Sequence, residues 1–429
     1  MSEEIKYLSQ MSEIPDYDLA EPFYREGAKW TTRHNFELEK CHIDSVVIHD
    51  VTLRDGDQTP GSVFLEDERV RIADALAEAR VPRIEAGMPN VSKAVENSMR
   101  RMVARHYPDT KIYSFIRAVE SDVDLSRDIG CDGVIIEYCV NPVIIKYAYK
   151  KTPQWVAENL IRCINHAKEV GFKDVVFMGW DWFRAPVSFT KVLIQEVYDK
   201  TELDGLTIVD TYGSSTPDAV EAMFRMFHAW FPRLRLEFHG HSDNGCGAAN
   251  CLAAMWGGAQ VIHTALNGMG ERCGNVSTEE VAVLCEIHKG IRTGMDLSKI
   301  APACYVTSTI SRIPIPANRP VMGTRALCIE SGVSLDIEYK MAHNKDYTVT
   351  NIYDSFSPDL VGRLDRIHPV LGKNSGKSSI RLMLDQYGLE ATDEEIAELL
   401  AKVKEEAYVT KSGVSDDMFL KFVSDVKKH

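Results

Sequence analysis

From residue 45 onward the chain alternates between two rhythms. Short runs rich in β-branched and apolar side chains are separated by longer stretches whose apolar residues recur at helical spacing. Eight of the short runs predict strands, at residues 45–49, 83–86, 112–115, 133–137, 174–178, 206–210, 236–241 and 261–264. Between them the spacing predicts helices. Residues 66–79 carry Val70, Ile72, Ala73, Leu76 and Ala77 along one side, and residues 155–170 and 217–230 form two more. Thr216 reads as the cap of the last of these, with Pro217 in its first turn. Strands separated by helices pair in parallel through crossovers. Eight such units in roughly 250 residues predict a TIM (β/α)8 barrel. A doubly wound open sheet is the other arrangement, but no GxGxxG follows the first strand.

The rhythm is absent at both ends. Residues 1–40 are polar and mixed, with aromatics at Tyr17, Phe23, Tyr24 and Trp30, and read as an N-terminal extension to a barrel at 41–300. Ile313 to Pro320 holds three prolines in eight residues and predicts a linker. It opens a linker and lid-like part at 301–370. A smaller, mostly helical C-terminal subdomain follows at 371–429. There Thr392 and Glu395 form a capping-box pattern ahead of Ile396, Leu399, Leu400 and Val403, and a second helix is predicted at 415–426.

Composition changes the picture little. Of 429 residues, 45% are hydrophobic and 26% charged, an ordinary globular balance. The net charge of −14 argues against a nucleic-acid binder, which needs a basic face. Ten cysteines are scattered without a CxxC pair and read as free thiols of a reducing compartment. Neither a signal peptide nor a membrane span is expected, so the reading is a cytoplasmic protein that does not contact membranes.

Candidate chemistry gathers where the predicted strands end, the rim on which barrel active sites lie. The seventh strand ends His239-Gly-His241, and residues i and i+2 of a strand share a face. Two adjacent imidazoles are half of a divalent-metal site. Asp55, just past the first strand in Thr-Leu-Arg54-Asp55-Gly-Asp-Gln58, supplies a carboxylate. That set suits Mn2+, Zn2+, Fe2+ or Co2+, and Mg2+ less readily. Such a metal would act as a Lewis acid, with Arg54 stabilising an enolate oxygen. Glu85 ends the second strand and Thr211 follows the sixth.

At this point the chain resembles a known family. Thr-Leu-Arg-Asp-Gly-Asp-Gln, His-Gly-His-Ser-Asp-Asn, Asn267-Gly-Met-Gly-Glu-Arg-Cys-Gly-Asn275 and Gly372-Lys-Asn-Ser-Gly376 together are similar to motifs of the DRE-TIM metallolyases. The likeness is greatest to their Claisen-condensing branch, the isopropylmalate, homocitrate, citramalate and Re-citrate synthases. It spans about residues 45–380. The resemblance implies metal ligands at Asp55, His239, His241 and Asn275. It implies substrate-side roles for Arg54, Gln58 and Thr211. Glu85, at the end of the second strand, is expected to bind substrate as well. It also implies a tyrosine, Tyr353, brought in by the second subdomain. The implied reaction condenses an acyl-CoA, first of all acetyl-CoA, with a 2-oxo acid, in a homodimer whose second regions cover each other's barrels.

Two departures stand out. The branch's His-Glu-Ser-Gly-Ile-His segment here reads Ile329-Glu-Ser-Gly-Val-Ser334, and serine cannot do histidine's proton transfer unaided. Its acidic position after the fifth strand is Val176 here. Asp181, Glu137 or Tyr353 would then compensate, or the reaction is carbon–carbon cleavage of a hydroxy acid or hydroxyacyl-CoA. A non-catalytic metal-binding relative is the third reading. Cys273 is expected to pack, as are Trp180 and Trp182. Gly372 to Ser378 is not a P-loop, being one residue short of GxxxxGK[ST].

Overall fold

Eight parallel strands close into a barrel in the computed structural model, which describes residues 31–32, 34–345, 352–364 and 368–427. The strands are β1 (Val47–Asp50), β2 (Arg83–Glu85), β3 (Lys111–Arg117), β4 (Gly133–Cys139), β5 (Asp174–Trp180), β6 (Gly205–Asp210), β7 (Arg235–Gly240) and β8 (Ala259–Thr264). They pair in chain order, and β1 closes on β8 with His49 opposite His263. All eight predicted runs are strands. Their ends differ by up to two residues, and His241 lies just beyond β7, in an isolated bridge with Asn275. The predicted N-terminal extension falls largely outside the described residues.

Helices pack around the barrel because each presents an apolar stripe to the strands. Glu66–Glu78 buries Val70, Ile72, Ala73 and Leu76 in one continuous core. Pro153–Glu169 begins as its sequence predicts, with the Thr152 hydroxyl accepting from the Trp155 amide at 3.2 Å. Pro217–Trp230 differs. Thr216 occupies the cap position but makes no side-chain cap hydrogen bond.

The barrel interior is divided. On the β3–β6 side, Tyr113, Phe115, Ile135, Val176, Met178 and Val209 form an apolar cluster separate from the main core. On the β7–β8–β1–β2 side the interior is ionic, built from Glu237, His239, His263, His49, Arg83 and Glu85.

Beyond the helix Ile300–Ser311, the proline-rich segment runs without regular structure to a two-stranded parallel sheet, β9 (Cys328–Ile329) and β10 (His368–Pro369). The C-terminal helices Lys377–Gln386, Asp393–Thr410 and Asp416–Val426 enclose their own core of Leu371, Ile380, Met383, Leu399, Val403, Phe419 and Val423. The capping box is formed: Thr392 accepts from the Glu395 amide at 3.2 Å, and Glu395 accepts from the Thr392 amide at 2.6 Å. Among the described residues no helix is long and apolar enough to cross a membrane, and all ten cysteines are free.

Candidate metal centre and active site

Three backbone amides after β1, those of Arg54, Asp55 and Gly56, converge on the Val51 carbonyl at 2.9–3.1 Å. This tight turn places Arg54 and Asp55 side by side, both buried. Ligand atoms of Asp55, His239 and His241 lie within 4.8 Å of one another. His239 Nε2 is 3.7 Å from Asp55 Oδ2, and the two imidazole rings stand edge to face with centroids 5.3 Å apart. Asn275 completes the group. Its Nδ2 donates to Asp55 Oδ1 at 2.7 Å and to the Met269 carbonyl at 2.8 Å. Its Oδ1 is buried with no partner among the described residues.

These residues fit a divalent cation. A buried amide oxygen without a donor is uncommon, and a cation is one group that would satisfy it. Burial lowers the pKa of both imidazoles, His239 far below its ordinary value, leaving them in the neutral, ligating form. The loop beside them is packed to the ligands. A Cβ at Gly270, whose φ is +147°, would come within 2.5 Å of Asn275 Nδ2 and 3.1 Å of Asp55 Oδ1.

Arg54 is held from several sides. Its Nε donates to Glu85 Oε1, and its Nη1 donates to Asp55 Oδ2 at 2.6 Å. Its carbon Cζ lies 4.0 Å from the Phe115 ring centroid, and Nη2 is 3.9 Å from Met178 Sδ. Burial alone would raise the Glu85 carboxyl, but Arg54 and His49 overcome it and hold it at about 2. His49 Nε2 is 3.0 Å from Glu85 Oε2, and burial lowers this imidazole to about 3, so it is a neutral donor. His49 stacks on His263 at 4.3 Å, and His263 Nε2 is 2.9 Å from Glu237 Oε2. Arg83 also donates to Glu237, at 2.9 Å.

His49, Glu85 and His263 have the composition of a second ligand set. The Nε2 atoms of both histidines are already committed to carboxylates, which makes the group a buried support beneath Arg54. Sequence reading missed His49, Glu237 and His263. The inward parity of the strands, odd-numbered throughout β1, β7 and β8, places them inside the barrel but does not show which of them meet.

The other expected site residues are placed unequally. Thr211 sits on the rim, its hydroxyl accepting from the Asp181 amide at 2.7 Å and its carbonyl from Arg272 at 2.6 Å. Gln58 is exposed at the end of the turn Gly56–Gln58. Asp181 is locked by Asn141 at 2.7 Å and by two bonds from Arg184 at 2.5 and 2.8 Å. Val176 lies in the apolar half of the barrel. Tyr353 is 42% exposed beside the helix Gly332–Ala342, and no contact joins it to Asp55, His239 or His241 in this chain. Ser334 is in the first turn of that helix. Trp182 is fully buried, as expected, but Cys273 is exposed, so the packing role expected of it is not seen.

Residues 45–306, the barrel with both halves of the metal set, match the HMGL-like family. The chain belongs to the HMGL-like family. Residues 345–411 match a second family, the homocitrate synthase post-HMGL domain-like family. An (R)-citramalate synthase of Methanocaldococcus jannaschii is 32% identical over 89% of this chain and 74% of its own length. A homocitrate synthase of Sulfolobus acidocaldarius is 34% identical over 85% of this chain and 76% of its own. A hydroxymethylglutaryl-CoA lyase from Pseudomonas aeruginosa superposes with a TM-score of 0.57 at 19% identity, covering 64% of this chain and 95% of that one. At that identity the superposition carries the barrel fold alone.

The two motifs outside the HMGL-like barrel interlock. Glu330 Oε1 accepts from the Asn374 amide at 3.0 Å, and the Gly332 amide donates to the Asn374 carbonyl at 3.0 Å. A Cβ at Gly372 would meet the Glu330 carboxylate at 2.6 Å, so that glycine is needed for close approach. The loop amides of Gly372 and Gly376 donate to Ser375 and Ser379, at 2.9 and 3.0 Å. The segment is thus closed on itself, unlike a phosphate cradle.

Proposed function

We propose that this chain condenses an acyl-CoA with a 2-oxo acid, releasing CoA and a 2-hydroxy di- or tricarboxylic acid. The observation that carries this reading is the juxtaposition of the Asp55, His239, His241 and Asn275 donors with Arg54, in a chain whose second part matches the post-HMGL domain of homocitrate synthases. That second part, and the names of the curated relatives, favour condensation over the lyase chemistry of the barrel's structural neighbour.

A divalent ion at Asp55, His239, His241 and Asn275 supplies Lewis acidity toward the oxo acid's carbonyl. Mn2+, Zn2+ and Co2+ fit two imidazoles better than Mg2+ does. Arg54, pre-organised by Glu85 and Asp55, would stabilise the oxygen on which charge develops. Thr211 and Gln58 bind the oxo acid's carboxylate from the rim. Tyr353 acts at the barrel of a second copy, in a homodimer of cytoplasmic location. The exposure of Tyr353 in the single chain supports that arrangement.

The test is product identification. The protein is incubated with Mn2+, acetyl-CoA and each of a panel of 2-oxo acids, and the acids formed are read by mass spectrometry. A new acid two carbons longer than one of the oxo acids is the expected result. No new acid from any of them, with cleavage of hydroxyacyl-CoA thioesters instead, would replace this reading with the lyase one.

A further inference from the structure

The condensation needs a group that removes a proton from the thioester's α-carbon. Neither Ser334 nor Val176 can do so. Asp181 cannot serve, because both of its oxygens are bonded to Asn141 and Arg184. Tyr353 is 42% exposed and carries a phenol, which is neutral and no base near pH 7. Glu137 remains, and three observations single it out.

First, its place in the register. Val176 of β5 pairs with Ile135 of β4, and Glu137 stands two residues further along β4, opposite Met178 of β5. Residues in register on adjacent parallel strands point to the same face. Met178 Sδ touches Arg54 Nη2, so Glu137 flanks the guanidinium from the neighbouring strand. A carboxylate absent from β5 is therefore restored one strand over and one layer closer to the rim.

Second, its freedom. Asp55, Glu85, Asp181 and Glu237 are each bonded to an arginine, whereas no bonded partner is seen for the Glu137 carboxylate among the described residues. The cations around it are taken: Arg54 by Glu85 and Asp55, Arg117 by Asp122 at 2.8 and 2.9 Å, Arg162 by Glu120 at 3.2 Å. Burial raises the Glu137 carboxyl to about 7, with Arg54 pulling the other way. Tyr138 and Tyr149 also lie near enough to feel its charge.

Third, its access. Glu137 lines a cavity of about 640 Å3 at the C-terminal ends of β3 and β4, shared with Arg117, Tyr138, Tyr149 and Trp155.

We infer that Glu137 is the base of the condensation, reached by the acyl end of the thioester through this cavity. The assignment rests on the proposed condensation. The Glu137 carboxylate takes a proton from the carbon next to the thioester carbonyl, leaving an enolate. The enolate carbon bonds to the carbonyl carbon of the 2-oxo acid, and the carbonyl π electrons move to its oxygen, which is then protonated. Water hydrolyses the new thioester, breaking the carbon–sulfur bond and releasing the thiol.

The test uses Glu137→Gln and Glu137→Asp in the full chain, with metal content measured to show that the site is intact. In D2O the wild type is expected to place deuterium in the methyl group of recovered acetyl-CoA by reversible enolisation, and by way of that exchanged acetyl-CoA in the product's new methylene group. Glu137→Gln should lose that exchange and lower kcat by about 10²- to 10⁴-fold with little change in KM. Glu137→Asp should recover part of it. The wild-type kcat should rise with pH through about 7, and this limb should vanish in Glu137→Gln. A Glu137→Gln enzyme within about threefold of wild type, or one keeping the limb, overturns the assignment while leaving the condensation standing. A wild type that releases no thiol with any oxo acid overturns both.

Discussion

Glu85→Gln would strike the centre of the ionic half of the barrel. Glu85 is 0% exposed and lies between His49 Nε2 at 3.0 Å and the Arg54 Nε. Its carboxyl is held at about 2 against an ordinary 4.5. At about 1.4 kcal/mol for each tenfold change, that depression corresponds to roughly 3 kcal/mol of stability. Removing one partner of a buried pair costs about 3–5 kcal/mol, a range that agrees. Glutamine keeps an acceptor for Arg54, so a loss of about 2–4 kcal/mol at pH 7 is expected, read from urea unfolding. The direction with pH follows from the sign. A depressed carboxyl stabilises fully above about 4.5 and stops doing so as pH falls toward about 2. The gap between wild type and variant should therefore narrow at pH 3. A variant within about 0.5 kcal/mol of wild type at pH 7, or a gap that does not change with pH, would refute the reasoning.

Three further outcomes are expected. Gly270→Ala puts a methyl group 2.5 Å from Asn275 Nδ2 at a positive φ, so it should lose about 1–3 kcal/mol of stability and bind Mn2+ more weakly, both measurable by calorimetry. His241→Ala should reduce metal retained after gel filtration by tenfold or more while the circular dichroism of the barrel is kept, since His241 lies outside the β7 ladder. In a substrate panel, pyruvate and other 2-oxo acids with short apolar tails should outperform those with a second carboxylate. The interior next to Arg54 is the apolar cluster of Phe115, Val176 and Met178, and Arg54, Arg184 and Arg272 are each already paired with carboxylates. Preference for 2-oxoglutarate would contradict that assignment of the pocket.

Much of this was legible along the chain. Strand positions followed from apolar runs between amphipathic stretches, because each parallel strand of a barrel is buried on both faces. The grouping of Asp55, His239 and His241 was legible because strand ends and their loops carry the chemistry of a barrel, whereas Asn275 was pointed to only by the family resemblance. The support beneath Arg54 was not. His49, Glu237 and His263 are far apart in the chain and meet only when β1 closes on β8. Glu137 was one of three possible compensators, and the bonds that disqualify Asp181 are tertiary. The exposure of Cys273 depends on how the glycine-rich loop turns outward, which its neighbours in sequence do not dictate.

The central claim is that the Asp55, His239, His241 and Asn275 set serves acyl transfer to a 2-oxo acid. Its most direct test is thiol release from acetyl-CoA in the presence of pyruvate, before and after chelation and again after Mn2+ is restored. The account expects release that needs the oxo acid, falls to background on chelation and returns with the metal. Release that persists without metal, or that is indifferent to the oxo acid, would contradict it.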